Sequence, residues 1–419
     1  MQSHQTSTAL STPLLTGPLR VLLYSHDSWG LGHLRRSLAI AGAITGKFSQ
    51  ANALVVTGSP CATQFPLPAR CDLIKLPAVT KDTNGDYQPR SLSGPLEGTL
   101  ALRSRILLEA FRGFAPNVVI IDHQLIGLHG EALPLLREAH ATGVRTIYGM
   151  RDILDEPVSV QRSWNSQACR QALSTLYDCV CIYGNQEVFD SLHEYPALRR
   201  LAKRLEFTGY VVPSRHRDRR SPIPHLRKQV LVTVGGGEDG RQRIDKYLAA
   251  LALAPCDWDS HIFTGPLMEP ALSRHYKQEA RRLGRQASVQ VHRFHANLPR
   301  LLDEADVVVS MAGYNSCAEI LQSGCRGILL PRTFPRREQA IRAQRLAKQG
   351  FVDALENPST KRLRKTIERA LNRGARAAVD VNLDGLSRIC DVVSELTGVL
   401  PPALSPDQDN AAPVVHLVS

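Results

Sequence analysis

The sequence predicts two doubly wound α/β domains, each built on a parallel sheet, and three observations carry that prediction. Short apolar runs alternate with helical segments along most of the chain, which is the pattern of repeated strand–helix–strand units. The alternation stops at a Pro- and Arg-rich stretch, 212–228, and then begins again. Glycine-rich turns fall where strands give way to helices, in both halves. With 419 residues the chain is long enough for two ordinary cores.

Composition narrows the class. Apolar residues make up 43% and charged residues 21%, the balance of a soluble globular protein, and no apolar run is long enough to span a membrane. The first residues lack a basic start followed by an apolar stretch, so no secretory signal is expected; 1–17 reads as a disordered lead-in and 400–419 as a disordered tail. Nine cysteines are scattered without metal spacing, and Cys179-x-Cys181 in an apolar run reads as a buried thiol pair, so a reducing cytoplasm is the expected location. The net charge of +12 is concentrated in 199–219, 332–345 and 361–376. Such a surface suits phosphorylated small molecules or peripheral contact with an anionic membrane. With aromatics at only 5% and no RNA-binding signature, nucleic acid is not an expected partner.

In chain order, Leu19–Tyr24 (LRVLLY) is a strand, followed by SHDSWGLGHLRR and a helix. Gly30, Gly32, His33 and Arg36 form a G-x-G-H-x-x-R pattern at this turn. There His33 would sit in the positive field of the helix start and stay neutral, as a general base requires; a capping or merely solvated histidine fits the same position. Strands follow at 53–57 and 71–76, then a polar loop at 80–98 long enough to be functional. A helix at 100–114 leads to the buried strand 117–122, with Asp122-His123-Gln124 at its carboxyl end, where open α/β sheets bind ligands. A helix at 133–141 and a strand at 145–148 lead to a second strand-end cluster, Met150-Arg151-Asp152. A helix at 166–177 and strands at 179–183 and 206–210 complete this half.

The second half opens with a strand at 229–234 and then Gly235, Gly236 and Gly237 before a helix at 241–253. This turn can cradle phosphate or simply be tight; it lacks the Gly-Lys-Ser/Thr ending of a nucleoside triphosphate loop and the dinucleotide fingerprint. Strands at 261–264 and 289–294 and a helix at 298–304 lead to the strand 305–310. The turn Met311-Ala312-Gly313 then starts a helix carrying Glu319, so a helix N-terminus and a carboxylate lie at the sheet's carboxyl edge. A strand at 327–330 precedes a helix entered through Glu338-Gln339, and 351–355, 360–373 and 383–396 follow.

The ordered set resembles glycosyltransferase family 28 and its relatives: a glycine turn with histidine, a basic linker, a glycine loop, an aromatic-His-x-x-Leu segment before D-V-V-V-S-x-A-G, a glutamate and a Gln-containing helix start. The resemblance implies the GT-B fold, two Rossmann-like domains facing across a cleft. It divides the chain into an acceptor-side domain at 18–212, a linker at 213–228, a nucleotide-sugar-binding domain at 229–380 and a C-terminal helix at 381–399. It also implies site roles. Gly235, Gly236 and Gly237 would meet the diphosphate, and Phe294 the base through its backbone. Ala312, Gly313 and Asn315 would line the phosphate-binding helix start. Glu319 would take the ribose hydroxyls, and Glu338 and Gln339 the sugar hydroxyls. Asn315-Ser316 and Arg342-Ala343 depart from the family pattern, which usually has threonine and Asn-Ala there.

The expected function is transfer of a hexosyl group from a nucleoside diphosphate sugar, UDP-linked, to an acceptor hydroxyl in polysaccharide or glycolipid biosynthesis. The acceptor would be a sugar, a lipid-linked molecule or another small molecule, with no cofactor and no metal. His33 or Asp122 would be the base and Gly30, Gly32 and Arg36 would border the ligand. The G-x-G-H-x-x-R motif also resembles that of a nucleotide-sugar hydrolase of pseudaminic acid synthesis. Hydrolase, nucleotide-sugar 2-epimerase and non-catalytic nucleotide-sugar binder are therefore the alternatives.

Overall fold

The computed structural model describes residues 17–26, 31–82, 86–213, 225–295, 298–374 and 380–402. Nearly all of the expected lead-in and of the tail, most of the linker, and Gly30 lie outside the described residues.

The first sheet contains β1 (Arg20–Ser25), β2 (Asn52–Thr57) and β3 (Cys71–Lys75), followed after a small antiparallel hairpin, β4 (Val79–Lys81) and β5 (Tyr87–Pro89), by β6 (Val118–Asp122), β7 (Arg145–Arg151), β8 (Cys179–Tyr183) and β9 (Leu205–Phe207). The second sheet contains β10 (Lys228–Thr233), β11 (Trp258–Phe263), β12 (Ser288–His292), β13 (Val307–Ser310), β14 (Arg326–Leu329) and β15 (Val352–Ala354). The strand orders are β3-β2-β1-β6-β7-β8-β9 and β12-β11-β10-β13-β14-β15, with every pairing within the two sheets parallel. β6 and β8 are buried along their whole length, as strands covered on both faces must be. Cys179 and Cys181 lie buried there, their Sγ atoms 3.9 Å apart.

Both orders reverse direction beside the first strand, between β1 and β6 and between β10 and β13. At such a point the connecting segments leave in opposite directions and open a crevice at the carboxyl edge. The chain segments after Ser25, Asp122, Thr233 and Ser310 therefore all end at a crevice.

The helices of the first half are α1 (Gly32–Lys47), α2 (Leu96–Phe114), α3 (Leu133–Thr142), α4 (Pro157–Trp164), α5 (Gln167–Gln171) and α6 (Ser191–Glu194). Those of the second half are α7 (Arg241–Leu251), α8 (Pro270–Arg282), α9 (Leu298–Glu304), α10 (Tyr314–Ser323), α11 (Glu338–Lys348), α12 (Thr360–Asn372) and α13 (Gly385–Thr397). Most match the expected spans to within two or three residues. The loop expected at 80–98 instead holds the hairpin and the first turn of α2, and the helix expected at 166–177 splits into α5 and a π-turn at Ala172–Leu176. The polar hairpin residues carry no periodicity to betray them, whereas α4 was detectable through Pro157 at its first position.

The last helix returns to the first domain. Lys47 on α1 pairs with Asp391 at 2.5 Å, Arg145 donates to the Leu396 carbonyl, and Arg388 pairs with Glu206 at 2.9 Å. A single apolar cluster runs from Val21, Leu34 and Ile120 through Tyr210 and Tyr314 to Val308 and Leu329, and includes Ile389 and Val393 of α13. The two sheets thus share a core and each keeps one of its own.

Candidate active site

Turns from both domains converge on a cavity of about 220 Å³ between the two sheets. From the first domain it is lined by Gly32, His33, Arg35, Arg36, Phe65 and Arg151. From the second it receives Gly235, Gly236, Asp239, Phe294, Gly313 and Asn315, and beyond them Arg332, Glu338 and Gln339.

His33 is the second residue of α1 and is almost fully buried. Its Nδ1 lies 2.6 Å from Asp122 Oδ2 at the end of β6. Arg36, one turn further along the same helix, grips that carboxylate with Nε on Oδ1 at 2.8 Å and Nη2 on Oδ2 at 2.6 Å. Burial opposes ionisation of Asp122, but the Arg36 charge and the hydrogen bonds from His33 and Arg36 outweigh it and hold its pKa well below the usual carboxylate range. The carboxylate therefore stays charged and accepts from His33 Nδ1, which leaves Nε2 as the basic nitrogen of the neutral tautomer.

Two further histidines adjoin it. His26 follows β1 and His123 follows Asp122, and the ring centroids of both lie within 5 Å of the His33 ring, at 4.7 and 4.8 Å. Burial pushes both pKa values well below the ordinary 6.5, helped for His26 by His33 and Arg103 and for His123 by Arg151 and His33. The Arg336 charge acts in the same direction on both, while Asp122 opposes the shift at His26. The sign of the pH effect follows. Above about pH 6.5 both histidines are neutral folded or unfolded, and below it the unfolded chain takes up protons that the folded chain does not. Stability is expected to fall as pH drops from 7.5 to 5.5, as read by melting temperature, and a His26→Gln/His123→Gln variant should flatten that slope. A slope that survives in the double variant would place its origin elsewhere. Asp122 adds a separate loss only below about pH 4, where the unfolded carboxylate protonates.

In the second domain, the turn after β10 places Gly235 at φ 65° and Gly237 at φ 100°. A Cβ at Gly237 would come within 2.2 Å of the Thr264 carbonyl oxygen, so this turn admits no side chain there. Gly313 caps α10 in extended conformation, and Gly313 to Ser316, the start of that helix with its free N–H groups, line the cavity. Asn315 lines the cavity, but its Nδ2 donates to the Gly32 carbonyl of the opposite domain at 3.0 Å. Phe294 meets Phe65 of the first domain edge to face, with centroids 6.0 Å apart. Arg332 donates to Asp239 and to Glu338, each at 2.8 Å, and its backbone N–H donates to Gln339 Oε1. Burial disfavours the Glu338 charge, yet Arg332 and Arg151 more than compensate, so its pKa is lowered; its Oε2 is buried with no hydrogen-bond partner among the described residues.

Several residues singled out in the sequence lie behind the cavity wall. Asp122 is the support of His33, Gly237 shapes its turn, and the Ala312 carbonyl accepts from Arg342 Nη1 at 2.9 Å. Glu319 is almost fully buried and is met by Arg35 from the first domain. Arg332, Asp239, Arg35, Phe65 and His26 received no role from the sequence. His26 alone had a usable signal, its place at the end of β1; the others stand on turns or helix surfaces whose neighbours come from distant parts of the chain. Among the described residues, no group of three or more His, Cys, Asp or Glu is arranged to hold a metal ion, and no helix is long and apolar enough to cross a membrane.

The chain has the GT-B fold. Residues 229–381, the second sheet and its helices, match the glycosyltransferase family 28 C-terminal domain. Among solved structures, the glycotransferase of kitacinnamycin is similar, with a TM-score of 0.60 at 16% identity over 91% of this chain and 99% of that one. MurG of Acinetobacter baumannii gives 0.56 at 13% identity, covering 90% of this chain and all of its own. A ugt transferase from Siraitia grosvenorii, in complex with UDP, gives 0.54 at 12% identity over 90% and 99%. No curated protein matches the chain in sequence.

Proposed function

We propose that the protein transfers a glycosyl group from a nucleoside diphosphate sugar, UDP-linked, to an acceptor hydroxyl. The observation that carries this reading is the buried Asp122–His33 pair facing, across one cavity, the glycine turn and helix start of a domain matched to glycosyltransferase family 28. The acceptor hydroxyl gives its proton to His33 Nε2 as its oxygen bonds to the anomeric carbon, and the bond from that carbon to the diphosphate breaks. Asp122 orients the ring and stabilises the imidazolium that forms. The leaving diphosphate is received by the N–H groups at the start of α10, by the turn at Gly235 and Gly236, and by Arg35 or Arg293 at the cavity wall. Glu338 Oε2 and Gln339 take sugar hydroxyls.

A supporting parallel is the Siraitia grosvenorii transferase, which holds UDP on the same fold. Calorimetric titration with UDP, GDP, dTDP and their glucose conjugates tests the donor half. UDP compounds are expected to bind most tightly, and UDP release is expected to require an added acceptor and to persist in EDTA. Release of free sugar without acceptor would make the protein a hydrolase, and an epimerised donor would make it an epimerase. Binding with no turnover under any acceptor would leave only a nucleotide-sugar binder.

A further inference from the structure

Among the described arginines that line the cavity, Arg151 alone has no carboxylate or carbonyl partner. Arg36 is paired with Asp122, Arg332 with Asp239 and Glu338, and Arg35 with Glu319, while Arg293 donates to the Pro266 carbonyl at the rim. Arg151, the last residue of β7, forms no ion pair with any carboxylate of the described residues. Its guanidinium lies against the His123 ring, Nε 3.2 Å from Nδ1 and Nη2 3.0 Å from Nε2. A neutral imidazole has a single acceptor nitrogen, so this contact satisfies at most one of the guanidinium's N–H donors. The next residue, Asp152, is taken by Arg342, and Glu338 by Arg332. Burial pushes the Arg151 pKa down to about 10, still a cation at neutral pH. The Glu338 charge acts on Arg151 without forming an ion pair with it, so a partly buried cation lines the cavity with most of its N–H donors unmet, which suits an incoming anion.

We propose that Arg151 recognises an anionic group, carboxylate or phosphate, that the acceptor carries beside the hydroxyl facing His33. The assignment rests on the glycosyl-transfer reading. The acceptor is the bearer because Arg151, His123 and His33 form one stack on the first domain, the His123 and His33 centroids 4.8 Å apart. The acceptor class is thus a hydroxy acid or a phosphorylated hydroxyl compound rather than a neutral alcohol.

Titrations of the full chain with glycerol, glycerate and glycerol 3-phosphate, with UDP saturating so that the diphosphate turns are filled, test this. Glycerate or glycerol 3-phosphate is expected to bind and glycerol not; Arg151→Gln should weaken the anion about tenfold or more, and Arg151→Lys should recover part of the loss. Equal anion affinity in wild type and Arg151→Gln overturns the proposal. So does a preference for UDP-glucuronate over UDP-glucose that disappears in Arg151→Gln, because the anion would then belong to the donor. UDP that does not bind at all sinks the glycosyl-transfer reading instead, and the anion titration repeated without it still reads Arg151 through the difference between wild type and variant.

Discussion

His33→Ala is expected to lower acceptor-dependent UDP release by ~10²–10⁴-fold while leaving UDP affinity unchanged. The split follows from the geometry. His33 stands on the first domain with its Nδ1 held by Asp122, whereas the glycine turn, the start of α10 and Arg332 belong to the second. Removal of the imidazole takes away the proton acceptor and touches none of the groups that would hold the nucleotide. Asp122→Asn should also cost activity, because an amide no longer selects the tautomer or stabilises an imidazolium. It additionally leaves the buried Arg36 without its counter-charge, so its activity must be compared per folded molecule. Single-turnover rates with saturating acceptor separate these effects, and an unchanged rate in His33→Ala would remove this residue from the chemistry.

The second large effect is expected at a residue outside the cavity. Arg342 on α11 is fully buried and grips Asp152 of the first domain, Nη2 to Oδ1 at 2.7 Å and Nε to Oδ2 at 3.0 Å. It also donates to the carbonyls of Ala312 and Ile153. Burial opposes its charge, but Asp152 more than compensates and raises its pKa. Arg342→Ala strands a buried carboxylate and frees the Ala312 carbonyl, so about 3–5 kcal/mol of stability is expected to be lost, read as a lower denaturant midpoint. Because Ala312 immediately precedes the helix start proposed to receive the diphosphate, UDP affinity should fall as well. Asp152→Ala should cost about as much, and the double variant less than the sum of the two, since the charge stranded by each change is gone. Strictly additive costs would show that the pair does not act as a unit.

Arg342 also shows where sequence reading stops. It departs from the family pattern three residues after Gln339, and its side chain stays out of the cavity and locks α11 to the first domain. The same helix sends Arg345 to Glu194 at 2.7 Å, and the Arg337 backbone N–H just before it donates to Asp155. Asn315, the other departure, likewise spans the cleft to Gly32. A substitution in a motif reveals a change of chemistry but not its direction, because the partner that explains it lies more than a hundred residues away in the chain.

The sequence by itself determined the two α/β layers, nearly every strand and helix, and the glycine turns after β10 and β13. Those features follow from local periodicity and from backbone conformations that only neighbouring residues influence. Tertiary structure alone decided which polar groups meet: that His33 and Asp122, each read as a candidate base, form one unit; that Glu319 is covered by Arg35; that α13 closes onto the first domain; and that Arg151 lines the cavity with no carboxylate ion pair among the described residues. These depend on side chains brought together by the strand crossovers and by closure of one domain on the other. Burial then makes each such pairing, or its absence, energetically decisive.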